Sequence, residues 1–183
     1  MLREIFILMR GMLLVALTIC LVSCKSEQSD LDETTNDEQE IENPSNVVTA
    51  SDIAAIKYTD YGLSDTAENV TRDWLKFQEL FEKIELLKKA DLSFFTEDKA
   101  ILRSFIDDLK NEVPEKLDEP SIIVRMIAME TAFYKLEGLA IIPNAKKEDL
   151  LDAIGEALMS HTNLIFQINK KLEKDNQRIE KPR

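Results

Sequence analysis

LDAIGEALMSHTNLIFQINKKL, residues 151–172, decides the fold. Leu151, Ile154, Leu158, His161, Ile165, Ile168 and Leu172 recur at alternating steps of three and four. That period places side chains on one face of an α-helix, whereas a half-buried strand would alternate every second residue. A stripe of this length predicts a long helix D, opened after Asn144 and needing apolar partners along its whole face.

The partners stand upstream. Pro120 and Ser121 open helix C, with Ile122, Met126, Met129, Phe133 and Leu136 on one stripe. Before it, Thr96 is the expected N-cap of helix B, with Glu97 and Asp98 in the favourable first turn. Helix B carries Leu102, Ile106, Leu109 and Val113 and is stopped by Pro114. Ser64 or Asp65 caps helix A, whose stripe is Val70, Trp74, Phe77, Phe81 and Ile84. At roughly 26 residues helix A would be about 39 Å long. No comparable alternating stretch argues for a sheet. Four amphipathic segments joined by short connections predict an all-α, antiparallel, up-down-up-down four-helix bundle over residues 63–176, with 177–183 as a frayed tail. Residues 46–62 read either as a short helix capped by Ser51 and stopped at Gly62, or as an extended strap packing Ile53, Ile56 and Tyr58 on the bundle.

The N-terminal part has a different character. Residues 1–24, MLREIFILMRGMLLVALTICLVSC, start with Arg3 and Arg10 and continue into an apolar stretch from Gly11 to Val22. That stretch is too short to span a bilayer, which takes roughly 20 apolar residues, and has the form of a signal-peptide core. Leu21-Val22-Ser23-Cys24 resembles the lipobox of bacterial lipoproteins, which implies cleavage of residues 1–23 and lipidation of Cys24. Met9 is an alternative start of the same signal. Cleavage before Cys24 removes Cys20, two arginines and one glutamate, and leaves a charge of −13.

Residues 24–45 hold eight acidic residues against one lysine and no aromatic residue. Such a segment buries too little apolar surface to offset its ordering entropy, so it is expected to be a disordered acidic tether. Its reach is roughly 25 Å by random-coil scaling. Acidic residues after the cysteine resemble surface-export signals of Bacteroidota lipoproteins, although Lys25 and Ser26 interrupt the pattern. The expected address is the bacterial cell envelope at its outer membrane, with the periplasmic and surface faces both open.

Composition narrows the function. The 183 residues carry 23 Lys+Arg against 35 Asp+Glu, a formal −12, which argues against nucleic acid as a partner, since phosphate binding relies on clustered Lys/Arg. Four glycines, widely spaced, form no phosphate loop, and two cysteines with one histidine form no zinc site of the usual kind. No cofactor is expected. The partner expected is the membrane, through the lipid anchor, with an envelope protein as a further partner in the binding reading.

Individual residues carry little chemistry. His161 lies on the apolar stripe of helix D, five residues after Glu156 and so off the i, i+4 spacing of a two-ligand helix site. It is expected as a buried histidine, hydrogen-bonded to a neighbouring helix or at the edge of the stripe. Asp107-Asp108, Asp118-Glu119 and Glu148-Asp149 are paired carboxylates, expected as solvated charge and not as acid–base pairs in a cleft. Trp74, Phe77 and Phe81 are expected in the core, and Phe94-Phe95 as an end cap or, if exposed, a partner contact. Gly155 costs a helix about 1 kcal/mol relative to Ala; it reads as a close approach or a tolerated accident. Asp65-Thr66-Ala67 resembles a Bacteroidota O-glycosylation pattern, and Asn69-Val70-Thr71 a eukaryotic N-glycosylation acceptor. An enzyme is not expected.

IKYTDYGLSD (56–65), TRDWLKFQEL (71–80), LLKKADLSFF (86–95), EPSIIVRM (119–126) and NLIFQINKKLEK (163–174) together make the chain similar to a group of uncharacterised small lipoproteins of flavobacteria and related Bacteroidota. The resemblance implies a helical, membrane-anchored ectodomain and supplies no catalytic residues. The function expected is therefore a lipid-anchored envelope lipoprotein with a binding or structural ectodomain. The alternative is a chaperone-like or regulatory factor that recognises an exported protein.

Overall fold

The computed structural model describes residues 47–177. The expected signal peptide and acidic tether of residues 1–45, with Met9 and Cys24, and the expected tail from 178 lie outside the described residues. Seven α-helices and one 3-10 turn occur among the described residues, without a strand: α1 (Ala50–Ala54), α2 (Asp65–Thr71), α3 (Leu75–Lys88), α4 (Ser93–Thr96), α5 (Lys99–Asn111), the turn Glu115–Leu117, α6 (Pro120–Ala140) and α7 (Lys147–Asn176).

Helix A is not one rod. It breaks between Thr71 and Leu75 into α2 and α3, and Trp74 leaves helical geometry at φ −84° and ψ 82°. The Thr71 hydroxyl donates back to the Ala67 carbonyl, a local bond that competes with regular helix. The decisive partner is distant in sequence. The Trp74 indole N–H donates to the Leu109 carbonyl at 3.0 Å, and the Lys76 amide donates to the Glu112 carboxylate at 3.1 Å. Leu109 lies in the last turn of α5, whose carbonyls lack helical partners, and Lys76 lies in the first turn of α3, whose amides lack them. The break lets the start of α3 and the end of α5 satisfy each other.

Other boundaries shift for similar reasons. Asp98 caps α5 by accepting from the Ala100 amide. Thr96, the expected cap, closes the single turn α4 instead, its hydroxyl donating to the Leu92 and Ser93 carbonyls. Helix B stops at Asn111, short of Val113. Pro120 stands in the first turn of α6 as expected. Asn144 adopts the left-handed φ of 61° in the connection before α7, a conformation asparagine tolerates.

Within the 46–62 segment, the described residues 47–62 use both expected forms in succession. Thr49, not Ser51, caps α1 in a reciprocal box with Asp52. The chain then runs extended beside α7. Asp52 meets Lys147 at 2.8 Å, and Ile56 lies against Gly155. Thr162 accepts from the Tyr61 amide and donates to the Thr59 carbonyl, and Asn169 accepts from the Ser64 amide and donates to the Gly62 carbonyl. Seven helical residues rise about 10.5 Å, and three extended residues cover about 10 Å. The two pairs of bonds therefore fall in register, and the strap runs parallel to α7.

The two longest helices are antiparallel. Lys171 contacts Glu119 and Lys135 contacts Glu156, so α6 and α7 form a hairpin. Lys110 contacts Glu130 at 2.6 Å between α5 and α6. The core between them contains Trp74, Phe77, Leu80, Ile84, Leu102, Ile106, Met129, Phe133, Ile154, Leu158, Ile165 and Ile168. Val70, Val113 and Leu151, also on the expected stripes, are half-buried at its edge.

Candidate functional site

Two places on this scaffold carry more than packing. The first lies where the strap crosses α7. An aromatic run leads to it: Trp74 stacks on Phe77 at 4.5 Å, Phe77 meets Phe81 edge-on, and Phe81 meets His161 edge-on at 5.2 Å. His161 is buried, as the stripe predicts, but its Nε2 has no hydrogen-bond partner. The expected bond to a neighbouring helix is absent at that atom because the facing group is the Phe81 ring. Burial, assisted by the nearby Lys88 ammonium, pushes the imidazole down to about 4. At neutral pH the ring is an uncharged packing group.

Lys88 closes this region from the outside. It bonds Asp60 of the strap at 2.7 Å and Glu85 of its own helix at 2.8 Å. Burial works to lower its pKa, but the two carboxylates outweigh that and raise it above the ordinary range. Burial also raises the Tyr58 hydroxyl, with Asp60 acting in the same direction. The Ser160 hydroxyl is engaged with the Ala157 carbonyl. The chemistry of the region is that of a clasp holding the strap, with the charged groups outside and the neutral ring within.

The second place is the outer side of the α6–α7 hairpin. Val124 and Ile127 are 60% and 49% exposed. Beside them a groove of about 360 Å³ is lined by Ala128, Thr131, Met159 and Asn163, with Arg125 near one end and the Lys135–Glu156 pair near the other. The groove was readable in part: SIIVRMIAM (121–129) has apolar residues on more faces than one buried stripe needs. Thr162 and Asn169, which hold the strap, give no such signal, since polar residues at that spacing are ordinary on a helix edge.

The remaining expected residues separate clearly. Trp74 and Phe77 are buried, and Phe81 is half-buried. Phe94 and Phe95 are buried, Phe94 against Phe105 and Phe95 against Phe133. They pack into the core, which leaves them unsuited to a partner contact. Asp107, Asp108, Asp118, Glu119, Glu148 and Asp149 are exposed and line no shared cleft. Thr66 and Asn69 lie exposed on α2, where Asn69 donates to the Asp65 carbonyl. Gly155 packs against Ile56, and a Cβ there would stand 3.4 Å from Ile56 Cγ2, an ordinary van der Waals contact that does not require glycine.

Among the described residues no three His, Cys, Asp or Glu side chains gather as metal ligands, and no helix is long and apolar enough to cross a membrane. Neither a family model, nor a curated protein, nor a solved structure matches the chain.

Proposed function

We propose that this chain is a lipoprotein of the bacterial cell envelope, attached to the outer membrane through lipid on Cys24, whose helical ectodomain acts by binding and not by catalysis. Leu21-Val22-Ser23-Cys24 after a basic start and apolar core supports the anchor, and the acidic run of residues 24–45 suits a tether. The likeness to small Bacteroidota lipoproteins belongs to the same proposal. The antiparallel pairing of α6 with α7, together with the contacts of the start of α3 with the end of α5 and of α5 with α6, supports an up-down-up-down bundle of those four helices.

The observation that carries the binding role is the α6–α7 groove with Val124 and Ile127 beside it. Exposed aliphatic side chains are ordinary when scattered, but two of them beside a groove form a surface suited to a partner. The same apolar lining favours the second reading, a chaperone-like or regulatory factor that grips an exposed apolar segment of an exported protein.

Fractionation tests the anchor. Cys24→Ala should leave the chain uncleaved or soluble; a processed, membrane-bound variant of normal size overturns the lipid reading. The binding role is tested by a photoreactive side chain in place of Ile127 in intact envelopes. A discrete crosslinked partner, lost on Met159→Asp, is expected; no adduct above that from position 173 overturns it.

A further inference from the structure

The register between the strap and α7 fixes where the described chain begins. Contacts advance together from Asp52 with Lys147, through Ile56 with Gly155, to Tyr61 with Thr162 and Ser64 with Asn169. The Asp52–Lys147 pair places α1, and with it the start of the described chain, beside the first turn of α7, which follows the connection between α6 and α7. That connection is Ile141-Ile142-Pro143-Asn144-Ala145-Lys146, and it is short and tied. The Ile141 amide donates to Glu137, the Ile142 amide to Leu139 and the Ala145 amide to Ile142.

Ile141 and Ile142 are nevertheless 41% and 51% exposed, and Pro143 and Lys146 are exposed with them. Val47, which precedes α1, is 60% exposed. The opposite end of the hairpin is of another kind: around the start of α6 and the end of α7 stand Glu119, Lys170, Lys171, Glu173, Lys174 and Asp175. The two ends differ: the connection presents Ile141, Ile142 and Pro143 with Lys146, Glu148 and Asp149 exposed beside them, whereas the other end presents charged and polar side chains around Pro120.

We propose that the Ile141–Ile142–Pro143 tip is a bilayer-contact surface that seats the domain on the membrane with the charged end of α6 and α7 pointing away. The proposal rests on the reading of residues 24–46 as a tether from a lipidated Cys24. The end of the domain at which the described chain begins selects the lipid surface over other occupants, because a tether of roughly 25 Å reach is shorter than the length of α7, about 45 Å, and so holds this end nearer the bilayer than the charged end. Isoleucine and proline side chains enter the region between headgroup and acyl chain, and the Lys146 ammonium lies at the level of lipid phosphate. Tether and tip then act as two attachments, the second multiplying the first through its high effective concentration.

The test uses the full chain isolated from envelopes and reconstituted in vesicles of phosphatidylethanolamine with a minor share of phosphatidylglycerol. A photoreactive benzoylphenylalanine replaces Ile142 in one preparation and Glu173 in another. After illumination and digestion, peptide masses report lipid adducts and the state of Cys24 in the same sample. Lipid adducts are expected at position 142, lost when Ile141→Asp is added, and none at position 173. Equal adducts at both positions, or none at 142, overturn the proposal. Adducts at 142 that are protein and not lipid overturn it in favour of a protein-facing tip. Unmodified Cys24 with lipid adducts still at 142 would remove the anchor and leave the tip standing; acylated Cys24 without them would do the reverse.

Discussion

Replacing Trp74 separates two contributions that the structure places on one side chain. The indole is 1% exposed, stacks on Phe77 at 4.5 Å with an 11° interplanar angle, and donates to the Leu109 carbonyl at 3.0 Å. Trp74→Ala removes the buried ring and the bond together, a loss of about 3–5 kcal/mol. Trp74→Phe keeps an aromatic ring against Phe77 but leaves the Leu109 carbonyl buried without its donor, which costs about 1–3 kcal/mol. A domain at the low end of ordinary stability, about 5 kcal/mol, survives the second change and is nearly unfolded by the first, whereas a more stable one stays folded with a lower denaturation midpoint. Urea unfolding followed by far-ultraviolet circular dichroism measures both variants, since neither retains a tryptophan. Wild-type fluorescence should be blue-shifted and poorly quenched by iodide. A Trp74→Phe variant as stable as wild type would refute the capping role of the indole. A loss below about 1 kcal/mol for Trp74→Ala would refute its place in the core.

Three further expectations follow from the strap and α7. The unfolded chain protonates His161 near its ordinary 6.5 and the folded chain only near about 4. Between those values the unfolded state holds the extra proton, so stability should fall by about 3 kcal/mol as pH drops through that window and level off below it. His161→Leu should flatten that part of the profile in denaturant titrations at pH 7 and pH 4.5; an unchanged slope would place the titration elsewhere. Gly155→Ala should raise the melting temperature, because the gain of about 1 kcal/mol in helix propensity meets only a 3.4 Å contact with Ile56. Gly155→Leu should lower it by displacing Ile56. Asn169→Leu removes two strap bonds and should cost about 1–3 kcal/mol while speeding proteolytic cleavage between residues 57 and 64; an unaltered cleavage rate would show that those bonds do not hold the strap.

The helical class is legible in the sequence because burial repeats along each segment. Leu151 to Leu172 is one unbroken stripe, and nearly all of it is buried in α7. What escapes such reading is set by groups remote in sequence. The stripe Val70–Trp74–Phe77–Phe81 passes through the break at Thr71 without a gap, since the break depends on a carbonyl 35 residues away. Thr96 and Asp98 are both good caps, and only the insertion of the α4 turn, with Phe94 and Phe95 packed inward, decides between them. The burial of His161 follows from its place on the stripe, whereas its unpartnered Nε2 depends on Phe81 arriving from another helix. Of the candidate binding surfaces, the α6 face left a trace in the excess of aliphatic residues over one stripe. The exposure of Ile141 and Ile142 did not, because a connection of that composition is as readily packed as bare.

The parallel course of the strap along α7 also determines how the domain bears load. A pull on residue 47 directed out past the start of α7 lies along the line of contact, not across it. The Asp52–Lys147 pair, the Ile56–Gly155 packing and the paired bonds at Thr162 and Asn169 are then strained in shear, all at once. Pulled sideways, the same contacts would open one after another, like a seam unpicked from its end. Mechanical resistance in this chain is therefore directional, and it is greatest along the axis on which a tether joined at residue 47 would draw.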